Sequence, residues 1–457
     1  MTRADRSRLP DIGPDPAFTF PRIVRHQLAN GLRVRTVEHR TMPVLSLVVQ
    51  VDAGAVADPL GHEGLAAISA DMLDEGTGDL TAIEVSDAFA RIGAEYDVDV
   101  GPDVTSFGLT TLSRFAEAGM ALVSDILLRP SLRQSDFDRV RQLRLDRLRQ
   151  LKDSPPAVAE RAFLRLMYGD HAYGHLPIGN PTAVGDLALE QVADFHAHRF
   201  QPSRTTIVAA GPFAHDDLRR LVESAFGDWS DTEAAVPGNP AGDVEPPASQ
   251  TRLVVVAREA APQSELRIGH LSAYRNSPDY SALLVMNAVL GGQFVSRINL
   301  KLREEKGYTY GARTGFDWRR GIAPFSLQAS VHTAATADAI ADCYAELDGI
   351  RGRRPPSEEE MALAKASLTR GYPRGFETAH QVARAVAQLA LYGLPDTYFE
   401  EFVPRVSAIQ SADVISVAER YLDPARTLTL VVGDYQAVEP SLAPLGLGEP
   451  KLLPAEA

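Results

Sequence analysis

Cysteine is almost missing from this chain. Cys343 stands alone among 457 residues, so no disulfide can form within the chain and an oxidising compartment is not required. Its setting, Ala341-Asp342-Cys343-Tyr344-Ala345, reads as helix, where a lone thiol serves as a small buried hydrophobe. Long apolar runs are missing too, since none approaches the ~18 residues of a membrane span. Arg3, Asp5, Arg6 and Arg8 precede Pro10, Pro14, Pro16 and Pro21 with no apolar stretch between them, so no secretory signal is visible. The expectation is a cytoplasmic protein with an extended arm over residues 1–22. Positive charge is in deficit: 46 Lys and Arg face 60 Asp and Glu, a net charge of −14. That balance argues against nucleic acid and membrane as partners, because both would repel it. A basic peptide would be attracted, although an acidic solvated surface needs no ligand to explain it.

What is present describes a globular protein with more than one core, 45% hydrophobic and 23% charged. Arg33-Val34-Arg35-Thr36-Val37-Glu38-His39-Arg40-Thr41-Met42-Pro43 is echoed by Arg252-Leu253-Val254-Val255-Val256-Ala257-Arg258-Glu259-Ala260-Ala261-Pro262. Arg204-Thr205-Thr206-Ile207-Val208-Ala209-Ala210-Gly211 is echoed at nearly the same spacing by Arg426-Thr427-Leu428-Thr429-Leu430-Val431-Val432-Gly433. Two matches at nearly the same spacing indicate a duplication. Residues 230–250 carry Pro237, Pro240, Pro246, Pro247, Gly238 and Gly242, the composition of a linker. Domains are therefore placed at 23–229 and 251–440, with a loosely held tail over 441–457.

Within the first half, Val44 to Val51 reads as a buried strand and Ala82 to Ile92 as an amphipathic helix with Ile83, Val85, Phe89 and Ile92 on its apolar face. Val98 to Leu112 reads as β-structure turned at Gly101-Pro102-Asp103, followed by helices over 114–126 and 135–151. In the second, Ser357 and Glu360 form a capping box that opens a helix running to Leu368. Strands grouped with helices packed over them predict the α+β class, with two homologous layer domains.

The stretch Gly64-Leu65-Ala66-Ala67-Ile68-Ser69-Ala70-Asp71-Met72-Leu73-Asp74-Glu75-Gly76-Thr77 reads as a helix, with Leu65, Ile68 and Met72 on one face and Gly76 as a stop. It resembles the zinc helix of the pitrilysin/insulinase peptidases, where Gly-Leu-Ala is followed by His-x-x-Glu-His, Met-Leu, two residues and Gly-Thr. The resemblance spans about residues 23–435 and implies that family's fold, two similar α+β halves joined as a clamshell. On this frame the first His falls on Ala67, the Glu on Ala70 and the second His on Asp71. A methyl group neither ligates zinc nor moves a proton, so scaffold is kept and metal chemistry deleted. The family's third ligand, a Glu on a later helix, is matched by Asp146 or Arg147 in Arg144-Leu145-Asp146-Arg147-Leu148-Arg149. The arginines there oppose a divalent cation.

A relocated metal would need other ligands. Gly169-Asp170-His171-Ala172-Tyr173-Gly174-His175 offers two imidazoles and an acid, but its glycines argue against a helix that would align them, and the family carries a similar loop before Pro-Ile-Gly. His196-Ala197-His198 would point its rings apart on a helix.

The chemically suggestive stretch of the second half is Gly291-Gly292-Gln293-Phe294-Val295-Ser296-Arg297-Ile298-Asn299-Leu300-Lys301-Leu302-Arg303-Glu304-Glu305-Lys306-Gly307-Tyr308-Thr309-Tyr310-Gly311. Phe294, Ile298 and Leu302 form a helical face, with Gly307 as C-cap. It is similar to the family's Leu-Arg-Glu-Lys-x-Gly-x-x-Tyr, whose Arg and Tyr reach the substrate held over zinc; the matching residues are Arg303 and Tyr310. Some members of the family divide the site between two subunits, and this sequence resembles the one without zinc. The resemblance implies no cofactor in this chain, zinc in a homologous partner carrying His-x-x-Glu-His, and a peptide as substrate. A purely structural subunit of the same fold, like the core subunits of respiratory complex III, is the alternative, and a peptidase with relocated ligands a second. The family also adds peptides as a strand to a sheet edge. The matching segment, Gly93-Ala94-Glu95-Tyr96-Asp97-Val98-Asp99-Val100, has acids that suit basic peptides or that guard the edge against aggregation.

Overall fold

The computed structural model describes residues 13, 18–232 and 252–454. Most of the expected arm and of the expected linker lies outside the described residues. Val44–Val51 is buried along nearly its whole length, and a strand that is apolar without alternation needs cover on both faces. Cover comes from the way the two halves interlock.

The first sheet has six strands in the order Ile23–Gln27, Arg33–Glu38, Thr205–Gly211, Val44–Val51, Thr105–Leu112 and Glu95–Val100. The second runs Lys451–Leu453, Leu253–Ala257, Leu428–Gly433, Gln263–Ala273, Ala323–His332 and Ala312–Phe316. Five of the six positions correspond. Arg33–Glu38 lies parallel to Thr205–Gly211 as Leu253–Ala257 does to Leu428–Gly433, so both echoed segments occupy equivalent places. The sixth strands differ: Ile23–Gln27 is antiparallel to its neighbour, and Lys451–Leu453 is parallel. The tail expected to be loose is thus a correction. Its described residues, 441–454, complete the helix Tyr435–Leu442, bury Leu442 and Leu447, and return as the strand Lys451–Leu453.

One face of each sheet is covered by helices of its own half. The other is covered by a helix from the opposite half. Ala379–Leu391 lies on the first sheet, with Val382, Ala383 and Val386 against Val48, Val208 and Ala210. Pro155–Tyr168 lies on the second, with Ala159, Ala162 and Phe163 against Val254, Val256 and Leu430. Burying each such Val, Leu or Phe contributes roughly 1.5–3 kcal/mol, so the exchange locks the halves together. Phe18 and Phe20 join the same lock by packing on Tyr372, Phe376 and Phe399. A buried Asp103, from the turn between Val100 and Thr105, accepts from the Tyr173 hydroxyl and from the Arg320 N–H at 3.0 Å.

The capping box stands: Ser357 Oγ accepts from Glu360 N–H at 3.2 Å and Glu360 accepts from Ser357 N–H at 2.8 Å. The helices expected at 114–126 and 135–151 run Ala116–Leu128 and Gln134–Leu151. Ile83 is a correction, being 75% exposed, because only Val85 and Phe89 of its helix turn to the core. Cys343 is fully buried, and burial pushes its thiol up. Among the described residues no helix is long and apolar enough to cross a membrane.

Candidate functional site

The helix Leu65–Asp71 is set in place by its first turn. Asp58 accepts from Gly64 N–H at 2.8 Å and from Ala66 N–H at 2.6 Å, satisfying donors that a helix start leaves unpaired. His175 Nε2 lies 3.0 Å from the same carboxylate. The following loop passes so close that a Cβ at Gly179 would collide with the Glu63 carbonyl oxygen, and its φ of +79° also favours glycine. His171 Nδ1 accepts from Tyr173 N–H at 3.1 Å and its ring packs on Tyr168 and Tyr173. The two loop histidines therefore support the helix and the tyrosines instead of converging. His196 Nε2 is 2.8 Å from the Leu127 carbonyl, while His198 turns to the Asp194 carbonyl.

Beside this helix lies a cleft of about 440 Å³ lined by Ala70, Asp71, Asp74, Val98, Arg144 and Arg147, among others. Ala67 and Ala70 present buried methyl groups. Asp71 is ion-paired with Arg144 of Gln134–Leu151. Arg147 lines the cleft and, among the described residues, has only Gln150 as a hydrogen-bond partner, at 3.3 Å. Asp146 instead bonds Gln142 at 2.9 Å and pairs with Arg149. Of the two residues matched to the third ligand, Arg147 therefore stands at the cleft and Asp146 does not line it. The side chains at the family's ligand positions do not fit a zinc ion: the methyls of Ala67 and Ala70 have no lone pairs, Asp71 is engaged by Arg144, and Arg147 brings a positive charge.

Asp74, which the sequence did not single out, is the perturbed acid here. Burial, with Glu75 and Asp71 close by, pushes its carboxyl up to about 6. Its protonated form is favoured in the folded state. The stability it adds is fully present below the unfolded value of ~3.9 and is lost as pH rises through about 6. Asp74→Asn is therefore expected to raise stability at pH 7.5 by roughly 2 kcal/mol and to change it little at pH 4. Urea titrations of both proteins at the two pH values check this; equal gains at both would refute it.

The cleft borders the sheet edge Glu95–Val100. Gly101 N–H bonds to the Val104 carbonyl at 2.9 Å, which fixes the alternation and turns the backbone of Tyr96, Val98 and Val100 outward. Of the acids on this strand, Asp97 is already paired with Arg384 of the exchanged helix, at 2.6 Å.

In the second half, Arg297–Asn299 begins as α-helix and widens into a π-helical turn over Leu300–Glu305, with Lys306 N–H bonding to the Lys301 carbonyl at 3.1 Å. Such turns are rare and often mark functional sites. Gly307, at φ +64°, closes it as expected. Ile298 and Leu302 are buried, but Phe294 is a correction, standing 62% exposed. Its ring supports Arg303, whose guanidinium carbon lies 4.1 Å from the ring centroid. Arg303 Nη1 is 3.6 Å from Glu304 and, though shielded from water, has no hydrogen-bond partner among the described residues. Tyr310 is 91% exposed. It lines, with Phe294, a groove of about 520 Å³. Arg297, by contrast, is structural: it bonds both oxygens of Glu360, at 2.6 and 2.7 Å, and the carbonyls of Arg354 and Pro355. That contact draws the Glu360 carboxyl down to about 2. Gly291 is needed for close packing, since a Cβ there would collide with Thr314.

The solved peptidase M16 inactive domain from Pseudomonas fluorescens matches this fold with a TM-score of 0.83 at 21% identity, covering 90% of this chain and 98% of that one. A protease from Helicobacter pylori matches at 0.82 and 19% identity, covering 90% and 99%. At such identities these likenesses show the fold alone. An uncharacterized zinc protease of Mycobacterium tuberculosis is 26% identical over 411 residues, 89% of this chain and 92% of the relative. The family profile for insulinase (peptidase family M16) matches residues 33–181, and the profile for the peptidase M16 inactive domain matches residues 186–368. The chain belongs to peptidase family M16. Its recognition as a pitrilysin-type protein without His-x-x-Glu-His therefore holds.

In this M16 chain the structure gathers Ala70, Asp71 and Arg147 at one cleft, and Phe294, Arg303 and Tyr310 at another place in the second half. Asp74 was missed because its perturbation comes from burial. Arg313, which also lines the second groove, was missed because nothing marks one arginine of a strand from another.

Proposed function

We propose that this M16 chain is the metal-free subunit of a heterodimeric zinc peptidase. A homologous partner carrying His-x-x-Glu-His would bring the zinc and the general base. Arg303 and Tyr310 would donate hydrogen bonds to the peptide carbonyl and to the oxyanion that develops on it. The observation that carries this reading is a pair of donors without a hydrogen-bond acceptor among the described residues, Arg303 Nη1 and the solvent-exposed hydroxyl of Tyr310, in a chain whose zinc helix is faced with alanine. A peptide captured as a strand has an open edge at Glu95–Val100. The equivalent edge of the second sheet is closed, because Ala312 N–H bonds to Asn299 Oδ1 and Thr314 N–H to the Gly291 carbonyl, both at 3.0 Å.

The test is to purify this chain and a homologous chain bearing His-x-x-Glu-His, and to assay peptide hydrolysis by each alone and by the mixture. Hydrolysis confined to the mixture is expected, and a chelator should abolish it. Chelator-sensitive hydrolysis by this chain alone would refute the reading. Assembly without hydrolysis would assign a structural role instead.

A further inference from the structure

We propose that the groove beside Tyr310 holds a carboxylate of the bound peptide and that Arg313 selects it. The inference rests on the peptide-binding reading above and adds the class of peptide: one with an acidic side chain, or a free C-terminal carboxylate, near the Arg303 and Tyr310 donors.

Arg313 sits on the edge strand Ala312–Phe316, three residues past Tyr310, and lines the same groove. It stands opposite Gln328 in the strand register. Gln328 Oε1 accepts from Arg313 Nε at 3.2 Å and from Nη2 at 2.9 Å, and Gln328 Nε2 donates to Ser326 Oγ at 3.2 Å. The guanidinium is thus held in one orientation by a neutral acceptor, and no carboxylate within 4 Å neutralises it among the described residues. Gln328 uses two of its five N–H donors, which leaves Nη1 and one Nη2 hydrogen for a ligand. A carboxylate is the group that takes a guanidinium by two bonds at once.

The other charges of the groove are already committed. Arg267 is paired with Glu265 and lies 3.3 Å from Glu160. The remaining oxygen of Glu265 accepts from Ser330. Along the edge strand the outward N–H groups of Ala312 and Thr314 are taken. Of the charged side chains lining this groove, Arg313 is the one whose donors are not engaged by a carboxylate among the described residues. The space, about 520 Å³, is of the size that takes a small ligand or a few side chains.

The experiment uses the full chain, immobilised, and acetylated, amidated nonapeptide pools. The central residue is fixed as Glu, Gln or Lys, and the other positions are randomised without Asp or Glu. A fourth pool has central Gln and a free C-terminus. The Glu pool is expected to be retained about tenfold better than the Gln pool, the yield of a charge-assisted pair. Arg313→Gln should abolish the difference while its thermal unfolding stays unchanged, since the side chain is exposed. Retention of the free C-terminal pool at the Glu level would support the site and name the terminus as a source of the carboxylate. Equal retention of the Glu, Gln and Lys pools would overturn the carboxylate site and leave peptide binding standing. A preference that survives in Arg313→Gln would overturn the assignment to Arg313. Retention of no pool would overturn the peptide-binding reading itself.

Discussion

Tyr310→Phe is expected to lower kcat of the reconstituted heterodimer by about 10²–10³-fold, the effect of removing one oxyanion donor elsewhere. The subunits should still assemble. Tyr310 is almost wholly exposed, so deleting its hydroxyl leaves no cavity and breaks no hydrogen bond among the described residues. The loss should fall on kcat more than on KM, because a donor aimed at the developing oxyanion acts chiefly in the transition state. Arg303→Ala should act in the same direction and additionally release Phe294, whose ring now carries the guanidinium. Steady-state kinetics at saturating substrate, with assembly followed by size-exclusion chromatography, separate the two effects. An unchanged kcat in both variants would leave this chain a scaffold.

Arg267→Met is expected to destabilise the protein by about 3–5 kcal/mol, because it strands a buried carboxylate. Glu265 is 5% exposed and shares one oxygen with Arg267 and the other with Ser330. The same guanidinium donates to the Leu266 carbonyl at 2.9 Å and reaches Glu160 on the exchanged helix Pro155–Tyr168. Its loss should therefore loosen that helix from the second sheet as well. Adding Glu265→Gln to Arg267→Met should recover most of the stability, since the unpaired charge is then gone. Urea unfolding of the single and double variants checks this. A loss below about 1 kcal/mol in the single variant would show that water reaches Glu265 and that the cluster is not dry.

Much of the fold was legible because it repeats. The paired segments around Val34 and Val254, and around Val208 and Leu430, announced two equivalent sheets, since strand-forming runs survive duplication in recognisable form. The capping box at Ser357 and the C-cap at Gly307 were legible because they depend on a few adjacent residues. Ile83 and Phe294 misled because apolar spacing along a helix cannot say whether anything packs on that face. The tail misled because its prolines suggested looseness, while Leu442 and Leu447 had a core waiting for them.

The sequence alone decided that Ala67 and Ala70 offer a zinc ion no side-chain ligand. A ligand set is a matter of which atoms are present, and no folding of Ala67 and Ala70 creates a lone pair. It likewise carried the Arg303 and Tyr310 pair, seven residues apart, and the membership of both halves in one design. Only the tertiary structure decided that each half lends a helix to the other, that His175 braces Asp58, that Asp74 is held protonated into the weakly acidic range, and that Arg313 meets a neutral glutamine and no carboxylate among the described residues. Exchange and bracing join residues far apart in the chain. Charge state and donor availability depend on burial and on partners supplied by other elements. No local pattern encodes such distances, because they come into being only when the layers close on one another.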